Sequence, residues 1–339
     1  MVSTASRFFS YVSSLVILPW RVSQGLLWLW AIWLLAWQVL RWWPGDRWWP
    51  VAISNYFTPW ILLTLIPALA LTLLTRQRSL SLALALSALV IGVRLTPLFL
   101  FKSSTPADAG TLKVMTFNIH KRNDDIEGII KLVLEEEPDV IALQELTTAS
   151  AEQLLPALEA RYPYHTLRSG RYIWGQGLLS RYPFEQTSPL PSYNYQSTVL
   201  ATPQGPVTFF NIHTPTPFDW ERQHRAVQSL AGQIAGIEGP LIVVGDFNTT
   251  DQAENYGLVR RYLQDAFHES GWGFGFSFPA RPRRIRWLRP LVRIDYIFHS
   301  EHFVSQDTRV LEDNAGSDHR PVVSTLSLTS RQPLETAWR

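Results

Sequence analysis

Cysteine is absent from the 339-residue chain, and acidic residues are nearly absent from its first third. Without cysteine there are no disulfides, no thiolate metal ligands and no cysteine nucleophile. Between residues 1 and 102, Asp46 is the single acid against eight lysines and arginines. Subtracting this segment from the whole-chain counts of 30 basic and 28 acidic residues leaves 22 and 27 for residues 103–339. That larger part is net acidic, so it is not a nucleic-acid binder held by bulk positive charge.

Long apolar runs fill the first third of the chain, and its length leaves room for one large domain besides. The runs cover about 22–40, 57–74 and 80–98, and each is close to the roughly 20 residues that cross a bilayer as a helix. Tryptophans crowd the first run and the loop after it, as they do at membrane interfaces. Three successive runs do not fit a cleaved signal peptide. We therefore expect residues 1–102 to form a membrane domain of about three transmembrane helices.

The positive charges that flank these runs predict the orientation of the chain. Four arginines lie at the N-terminus and in the second loop, against three basic residues in the first loop and after the third run. Basic residues concentrate on the cytoplasmic side of a membrane. The count predicts a cytoplasmic N-terminus and, after three crossings, an extracytoplasmic C-terminal domain of a multi-pass membrane protein. The small and polar residues 103–110 read as a linker, residues 111–330 as the folded domain and residues 331–339 as a tail.

Apolar runs of strand length alternate with helical spacing through the C-terminal domain. A strand at 112–117, a helix at 126–137 and a strand at 140–143 come first, and strands are expected again at 207–212, 241–244, 293–298 and 321–328. Many strands with only a few helices between them are typical of a layered α/β domain in which helices cover packed sheets.

Six short polar motifs lie at the ends of these strands. They are TFNIH (116–120), LQEL (143–146), FNIH (210–213), GDFN (245–248), IDY (294–296) and SDH (317–319). Together they supply four carboxylates, three asparagines and three histidines, the side chains that can hold a hard divalent cation beside a phosphoester. Taken singly, Glu145 fits a solvated carboxylate and GDFN fits a capped turn. His319 is the obvious acid/base candidate because the pKa of histidine lies near neutrality.

In order and type, these motifs resemble the endonuclease/exonuclease/phosphatase superfamily, which includes the DNase I-like nucleases. The resemblance runs from about 112 to 328 and implies a four-layer αββα sandwich of the DNase I-like α/β class. It also implies a bound Mg²⁺ or Mn²⁺, with Glu145 as the principal metal ligand, assisted by Asn118 and Asp318. Oxygen ligands of this kind suit such hard cations.

The same resemblance implies catalytic roles for the remaining residues. His319 is similar to the histidine that takes a proton from the attacking water or contacts the phosphate, and Asp295 to the carboxylate that orients it. Asp246 and Asn248 look like the pair that positions the nucleophile and a phosphate oxygen; the proton acceptor is either Asp246 or His319. His213 resembles the group that protonates the leaving oxygen, and Asn211 one that holds the phosphate.

Two departures bear on the substrate. His120 stands where abasic-site endonucleases usually have an acid, and the segment 174–183 lacks their Tyr-Asn pairing, which disfavours a repair nuclease. The stretch 271–293 interleaves six arginines with aromatic residues, suited to phosphate at a membrane surface, to single-stranded nucleic acid, or to a plain solvated loop.

With a membrane anchor, these observations favour a metal-dependent phosphoester hydrolase acting on a lipid-linked phosphate or phospholipid, with the lipid bilayer as a partner. The first alternative is a membrane-anchored nuclease. From another class, the domain is a non-catalytic sensor or scaffold that binds a phosphate ligand.

Overall fold

The computed structural model of the protein describes residues 4–100, 102, 110–168, 175–188, 195–280 and 290–329. Its chain divides into two compact units, Met1–Thr96 and Pro97–Arg339. The division precedes the boundary expected near residue 102. Most of the expected linker, the tail at 331–339 and the arginine-rich stretch 281–289 lie outside the described residues.

The first unit is helical. Its helices are α1 (Thr4–Leu40), α2 (Trp49–Tyr56), α3 (Thr58–Leu74) and α4 (Arg78–Leu95). Two stretches are long and apolar enough to cross a membrane, Trp20–Leu40 and Arg78–Leu98. The expected run at 57–74 coincides with α3, which meets α2 at a bend of 81° and forms a candidate span only if the two helices count as one. The three crossings and the orientation of the chain therefore stay predictions.

The single acid of this unit is buried in a chain of side-chain hydrogen bonds. Asn55 donates from Nδ2 to Oδ1 of Asp46 at 2.6 Å and accepts at Oδ1 from the indole of Trp37 at 2.9 Å. A buried carboxylate without a partner would cost several kcal/mol. Asn55 thus satisfies Asp46 and fixes α2 against the end of α1.

Two six-stranded sheets form the frame of the second unit within the described residues. The first sheet has the order β11 (Phe303–Val310), β12 (Val322–Leu328), β1 (Thr111–Asn118), β2 (Val140–Gln144), β4 (Gln176–Ser180) and β3 (Tyr164–Arg168). The second has the order β5 (Phe184–Ser188), β6 (Tyr195–Thr202), β7 (Gly205–His213), β8 (Leu241–Asp246), β10 (Asp295–His299) and β9 (Gln264–Asp265). Only β1 with β2, and β7 with β8, pair in parallel among these strands.

Side chains alternate between the two faces of each sheet, and both faces are covered, so the unit has four layers. Val114 of β1 and Val244 of β8 point into the core between the sheets, whereas their neighbours Met115 and Val243 point outward. The outward faces are covered by helices, α5 (Ile126–Glu136) and α6 (Thr148–Leu158) on the first sheet and α7 (Trp220–Ile234) and α8 (Glu254–Arg260) on the second. The period-two pattern of the strands requires two covered faces. The predicted αββα sandwich is confirmed.

A buried ion pair lies in the second unit, beside the short helix α9 (Ala266–Ser270). Arg293 donates from Nη1 to Asp265 at 2.7 Å and lies 3.2 Å from Asp251, and its side chain is 2% exposed. Asp265 also accepts from the hydroxyl of Tyr256 and from the backbone N–H of Phe267. Each partner is therefore needed to satisfy the charge of the other.

We expect Asp265→Asn to destabilise the fold by about 3–5 kcal/mol, because it leaves the guanidinium of Arg293 buried with less opposing charge. The thermal-unfolding midpoint of the detergent-solubilised chain, followed by circular dichroism, measures the loss. Asp307→Asn is the matched control, since Asp307 pairs with Arg309 at the surface and such pairs contribute little. Equal midpoints for Asp265→Asn and the control would contradict this assignment.

The same ion pair predicts a pH dependence. Burial alone would raise the pKa of Asp265, but Arg293 more than offsets burial and lowers that pKa below its usual value. A carboxylate with a lowered pKa stabilises the fold above its unfolded-state pKa, and the contribution is lost as pH falls through the folded-state pKa. The difference in midpoint between the wild type and Asp265→Asn should therefore shrink as pH falls below about 4. A difference that stays constant to low pH would contradict this reading.

Candidate active site

The predicted site residues lie at the termini of several strands, on one side of the sandwich. Asn118 ends β1, His213 ends β7 and Asp246 ends β8. The register sets His213 beside Asp246, and Asp246 opposite Asp295. Because β10 runs antiparallel to β8, its first residue lies where β8 stops. Four motifs far apart in sequence thus meet at the same edge.

Asp246 is the centre of a buried group that we call the inner cluster, made of Asn118, His213, Asp246, Asp295 and His319. Its Oδ2 accepts from Nδ2 of Asn118 at 3.0 Å and lies 3.7 Å from Nε2 of both His213 and His319. Its Oδ1 accepts from the backbone N–H of Asn248 at 2.8 Å. The carboxylate is therefore held from four sides.

Asp295 orients the ring of His319. Nδ1 of the ring lies 3.0 and 3.2 Å from the two carboxylate oxygens of Asp295, and the ring packs against Phe278 at a centroid distance of 4.7 Å. With Nδ1 used for Asp295, Nε2 faces Asp246. This is the geometry of a histidine whose tautomer is fixed by a carboxylate.

Charge coupling sets the protonation of this pair. Burial alone would lower the pKa of His319, but the carboxylates of Asp295 and Asp246 outweigh burial and raise it to about 10. Burial raises the pKa of Asp246 to about 6, and the nearby charge of Asp295 adds to this, while His319 and His213 oppose it. The two groups therefore titrate as a coupled pair.

A second and more open group, the outer cluster, contains His120, Glu145 and Asp318. Nδ1 of His120 lies 3.3 Å from Oδ1 of Asp318 and 3.7 Å from Oε2 of Glu145. The same Glu145 oxygen accepts from the backbone N–H of Lys121 at 3.0 Å. The side chains of His120, Glu145 and Asp318 are 25%, 14% and 34% exposed, so solvent reaches this cluster.

Three residues of the site take left-handed backbone conformations immediately after their strands. They are His120 with φ 57°, Glu145 with φ 57° and Asn248 with φ 47°. Such conformations are unfavourable for residues other than glycine and occur at functional sites. Gly245, with φ 138°, is required for another reason: a Cβ there would collide with the carbonyl oxygen of Ile212 on the adjacent strand. These turns direct the side chains of the three residues into the site, whereas a continuing strand would direct them elsewhere.

Two asparagines of the site, Asn211 and Asn248, donate hydrogen bonds to backbone carbonyl groups. Asn211 is fully buried, accepts from Gln144 at 2.7 Å and donates to the carbonyl oxygens of Leu143 and Gly177. It ties the two sheets together, and its predicted contact with phosphate stays a prediction. Asn248 donates from Nδ2 to the carbonyl of Thr214 at 3.0 Å. Both are positioned by backbone atoms.

Ser317 and Gln144 are site residues that the motif analysis did not single out. Ser317 donates from Oγ to the carbonyl of Asn118 at 2.7 Å and accepts from the backbone N–H of His319 at 3.0 Å. It joins the SDH segment to the end of β1. The sequence could have indicated Gln144, because it is an amide at the end of an otherwise apolar run. It could not have indicated Ser317, because the hydrogen-bond partner of Ser317 is 199 residues away.

A model of the "Endonuclease/Exonuclease/phosphatase family" matches residues 115–319. The chain belongs to this family. This match confirms the resemblance seen in the motifs. Members of the family are hydrolases that act on phosphoester bonds and are typically magnesium-dependent. A comparison with curated proteins found no match.

Solved structures share the fold of this family member. An endonuclease/exonuclease/phosphatase family protein from Bacteroides thetaiotaomicron is 17% identical with a TM-score of 0.56, covering 67% of this chain and 98% of its own. A mannosyl-6-phosphatase of the same species is also 17% identical, with a TM-score of 0.54 and coverages of 64% and 100%. TDP2 of D. rerio, complexed with a single-strand DNA product, is 16% identical with a TM-score of 0.54 and coverages of 64% and 99%.

Side chains that could ligate a divalent cation are present in both clusters. In the inner cluster, ligand atoms of Asp246, Asp295 and His319 lie within 4.8 Å of one another, but hydrogen bonds already engage them. In the outer cluster, Oδ1 of Asp318 is shielded from solvent and has no hydrogen-bond partner. A buried unsatisfied oxygen is costly unless something binds it. The outer cluster therefore fits the cation that this family requires.

Replacing Ser317 by alanine should lower the rate of phosphoester hydrolysis about 10- to 100-fold, because it releases the segment that carries Asp318 and His319. The measurement is kcat with a phosphoester substrate at saturating Mg²⁺. Ser300→Ala is the control: its hydroxyl likewise accepts from a backbone N–H, that of Leu241 at 3.0 Å. Equal loss in both variants would mean that Ser317 acts on general stability.

Proposed function

We propose that this family member hydrolyses the phosphoester of a lipid-linked phosphate or a phospholipid at the surface of a membrane. The observation that carries the proposal is the combination in one chain of a phosphoester-hydrolase unit with candidate membrane spans. A tethered enzyme meets membrane-bound substrate at a high effective concentration. Three further features support an amphiphilic substrate.

An aromatic cavity of about 730 Å³ opens beside the segment that carries His319. Its walls include Phe267, Trp272, Phe274, Phe276 and Arg320. This volume lies in the range of sites for small organic ligands. Arg320 directly follows His319, so one side of the cavity carries a cation near the candidate active site; Arg309 and the acids Asp307 and Glu312 also line the cavity. An apolar group with an attached phosphate has matching chemistry.

The chain that follows α4 packs against the aromatic side of this cavity. Phe99 contacts Trp272 and Phe274 edge-on, at centroid distances of 5.5 and 5.0 Å. The backbone N–H of Gly273 donates to the carbonyl of Leu98 at 2.8 Å. Trp272 is 66% exposed. Exposed aromatic side chains of this kind are typical of surfaces that meet a membrane interface.

Acidity is the third supporting feature. The segment 103–339 contains 22 basic and 27 acidic residues. Its net charge is negative and therefore does not favour binding of nucleic acid. Cleavage of nucleic acid is an outcome of the test below.

The chemistry we infer divides between the two clusters. Glu145 and Asp318, together with Oδ1 of Asn118, would hold a divalent cation, which would supply charge stabilisation at the phosphate. The Asp246–His319 pair takes up the proton of the attacking water, and Asp295 holds the imidazole in place. His213 lies on another side of Asp246 and protonates the leaving oxygen. This scheme needs no covalent intermediate.

We expect the detergent-solubilised chain to release product from a lipid phosphate, lipid pyrophosphate or sphingomyelin in the presence of Mg²⁺, and not to cut plasmid DNA. His319→Ala should lower the rate about 10²- to 10⁴-fold because it removes proton transfer, and Glu145→Ala should weaken metal-dependent turnover strongly. His165→Ala and Glu159→Ala are the matched controls, since both residues are exposed.

Each result of this panel decides between functions. Turnover of a lipid that both site variants abolish and both controls retain supports the proposal. Cleavage of DNA alone would replace it with the membrane-anchored nuclease. Absence of turnover with every substrate and metal would leave the phosphate sensor as the better account.

A further inference from the structure

The imidazole of His120 lies between the two carboxylates of the outer cluster. Its Nδ1 is 3.3 Å from Oδ1 of Asp318 and 3.7 Å from Oε2 of Glu145. Ligand atoms around one divalent ion lie about 3 Å apart when each bond measures about 2.1 Å. Only small side-chain adjustments therefore separate this arrangement from a shared coordination sphere.

The backbone holds His120 in this position at an energetic cost. Its φ of 57° is in the left-handed region, which is unfavourable for a residue with a β-carbon. The conformation is secured on both sides: the N–H of His120 donates to Oδ1 of Asn118 at 3.1 Å, and its carbonyl accepts from the N–H of Asn123 at 2.8 Å. The turn places the imidazole beside Glu145 and Asp318.

A carboxylate oxygen without a hydrogen bond lies in the outer cluster. Oδ1 of Asp318 is shielded and has no hydrogen-bond partner, because the ring of His120 approaches it without the alignment of a hydrogen bond. By contrast, both oxygens of Asp246 accept hydrogen bonds, and Nδ1 of His319 is committed to Asp295. A cation entering from solvent would meet His120 together with the carboxylates.

We propose that His120 is a nitrogen ligand of the divalent cation, beside Glu145 and Asp318, and that it makes this site prefer Mn²⁺ to Mg²⁺. The inference rests on the metal site of the proposed function. Imidazole nitrogen suits transition metals, whereas Mg²⁺ favours oxygen ligands and retains water. His120 thereby determines which ion the enzyme uses, whatever the organic part of the substrate.

Pulsed electron paramagnetic resonance of bound Mn²⁺ tests the proposal directly. The full-length chain in detergent is stripped of metal and loaded with Mn²⁺, and ¹⁴N modulation of the manganese signal is recorded. We expect modulation from a coordinated imidazole in the wild type, its loss in His120→Ala and its retention in His319→Ala. Modulation that survives in His120→Ala, or that disappears in His319→Ala, would overturn the proposal and place the ion in the inner cluster.

Calorimetric titration with Mn²⁺ and Mg²⁺ supplies the second measurement. His120→Asp offers an oxygen ligand at the same position, so it should shift the ratio of the two dissociation constants towards Mg²⁺ by about tenfold or more. An unchanged ratio would count against His120. Absence of binding of either ion to the wild type would refute the outer-cluster site itself, and the hydrolysis panel would then show whether the proposed function fails with it.

Discussion

The hydrogen bond from Asn118 to Asp246 joins the two sheets at the edge that carries the candidate active site. Asn118 ends β1 of the first sheet and Asp246 ends β8 of the second. One layer deeper, Gln144 and Asn211 make a second buried amide contact between the same sheets. Both contacts lack access to water, so breaking either would leave polar groups unsatisfied at about 1–3 kcal/mol each. Sliding one sheet over the other is therefore opposed by the amides that also place the catalytic groups.

Buried charge dictates the division between the two clusters. Asp246 and Asp295 are both nearly inaccessible to solvent, and two carboxylates cannot stay ionised together there without a cation. His319 supplies that positive charge from inside the protein, so the inner cluster is nearly self-sufficient. Glu145 and Asp318 have only His120 as an ion-pair partner among the described residues, and both carboxylates remain partly exposed. The outer cluster therefore has reason to recruit a cation from solution, and the inner one does not.

The sequence predicted the layered fold well because its strands carry a strong signal. Val114 and Met115, or Val243 and Val244, are adjacent apolar residues that can be satisfied only by a strand covered on both faces. The short helix α2, which precedes the apolar run expected from residue 57, was not foreseen. The tryptophans at its start were interpreted as part of an interfacial loop, and hydropathy alone does not distinguish such a loop from a short helix.

Site residues were predictable to the extent that a motif carried them. Asp246 and His319 stand out by residue type at strand ends, and the structure brings them within 3.7 Å of each other. Ser317 could not be found in this way, because a serine hydroxyl has meaning only through its partner, here the carbonyl of Asn118 on a distant strand. The role of His120 was likewise hidden: its side chain reaches the outer cluster only because its backbone leaves the strand in a left-handed turn.

Position along the chain connects the cavity to the catalytic edge. His319 faces Asp246 in the inner cluster, and the next residue, Arg320, lines the aromatic cavity. Its backbone N–H is anchored to the carbonyl of Ser277, whose hydroxyl accepts from the N–H of Asp295. The cation of the cavity and the orienting carboxylate of the active site are thus held by one serine. In the proposed function, an amphiphile whose hydrocarbon part lies against the aromatic wall would have its phosphate directed towards His319, so binding of the tail would orient the bond that is cut.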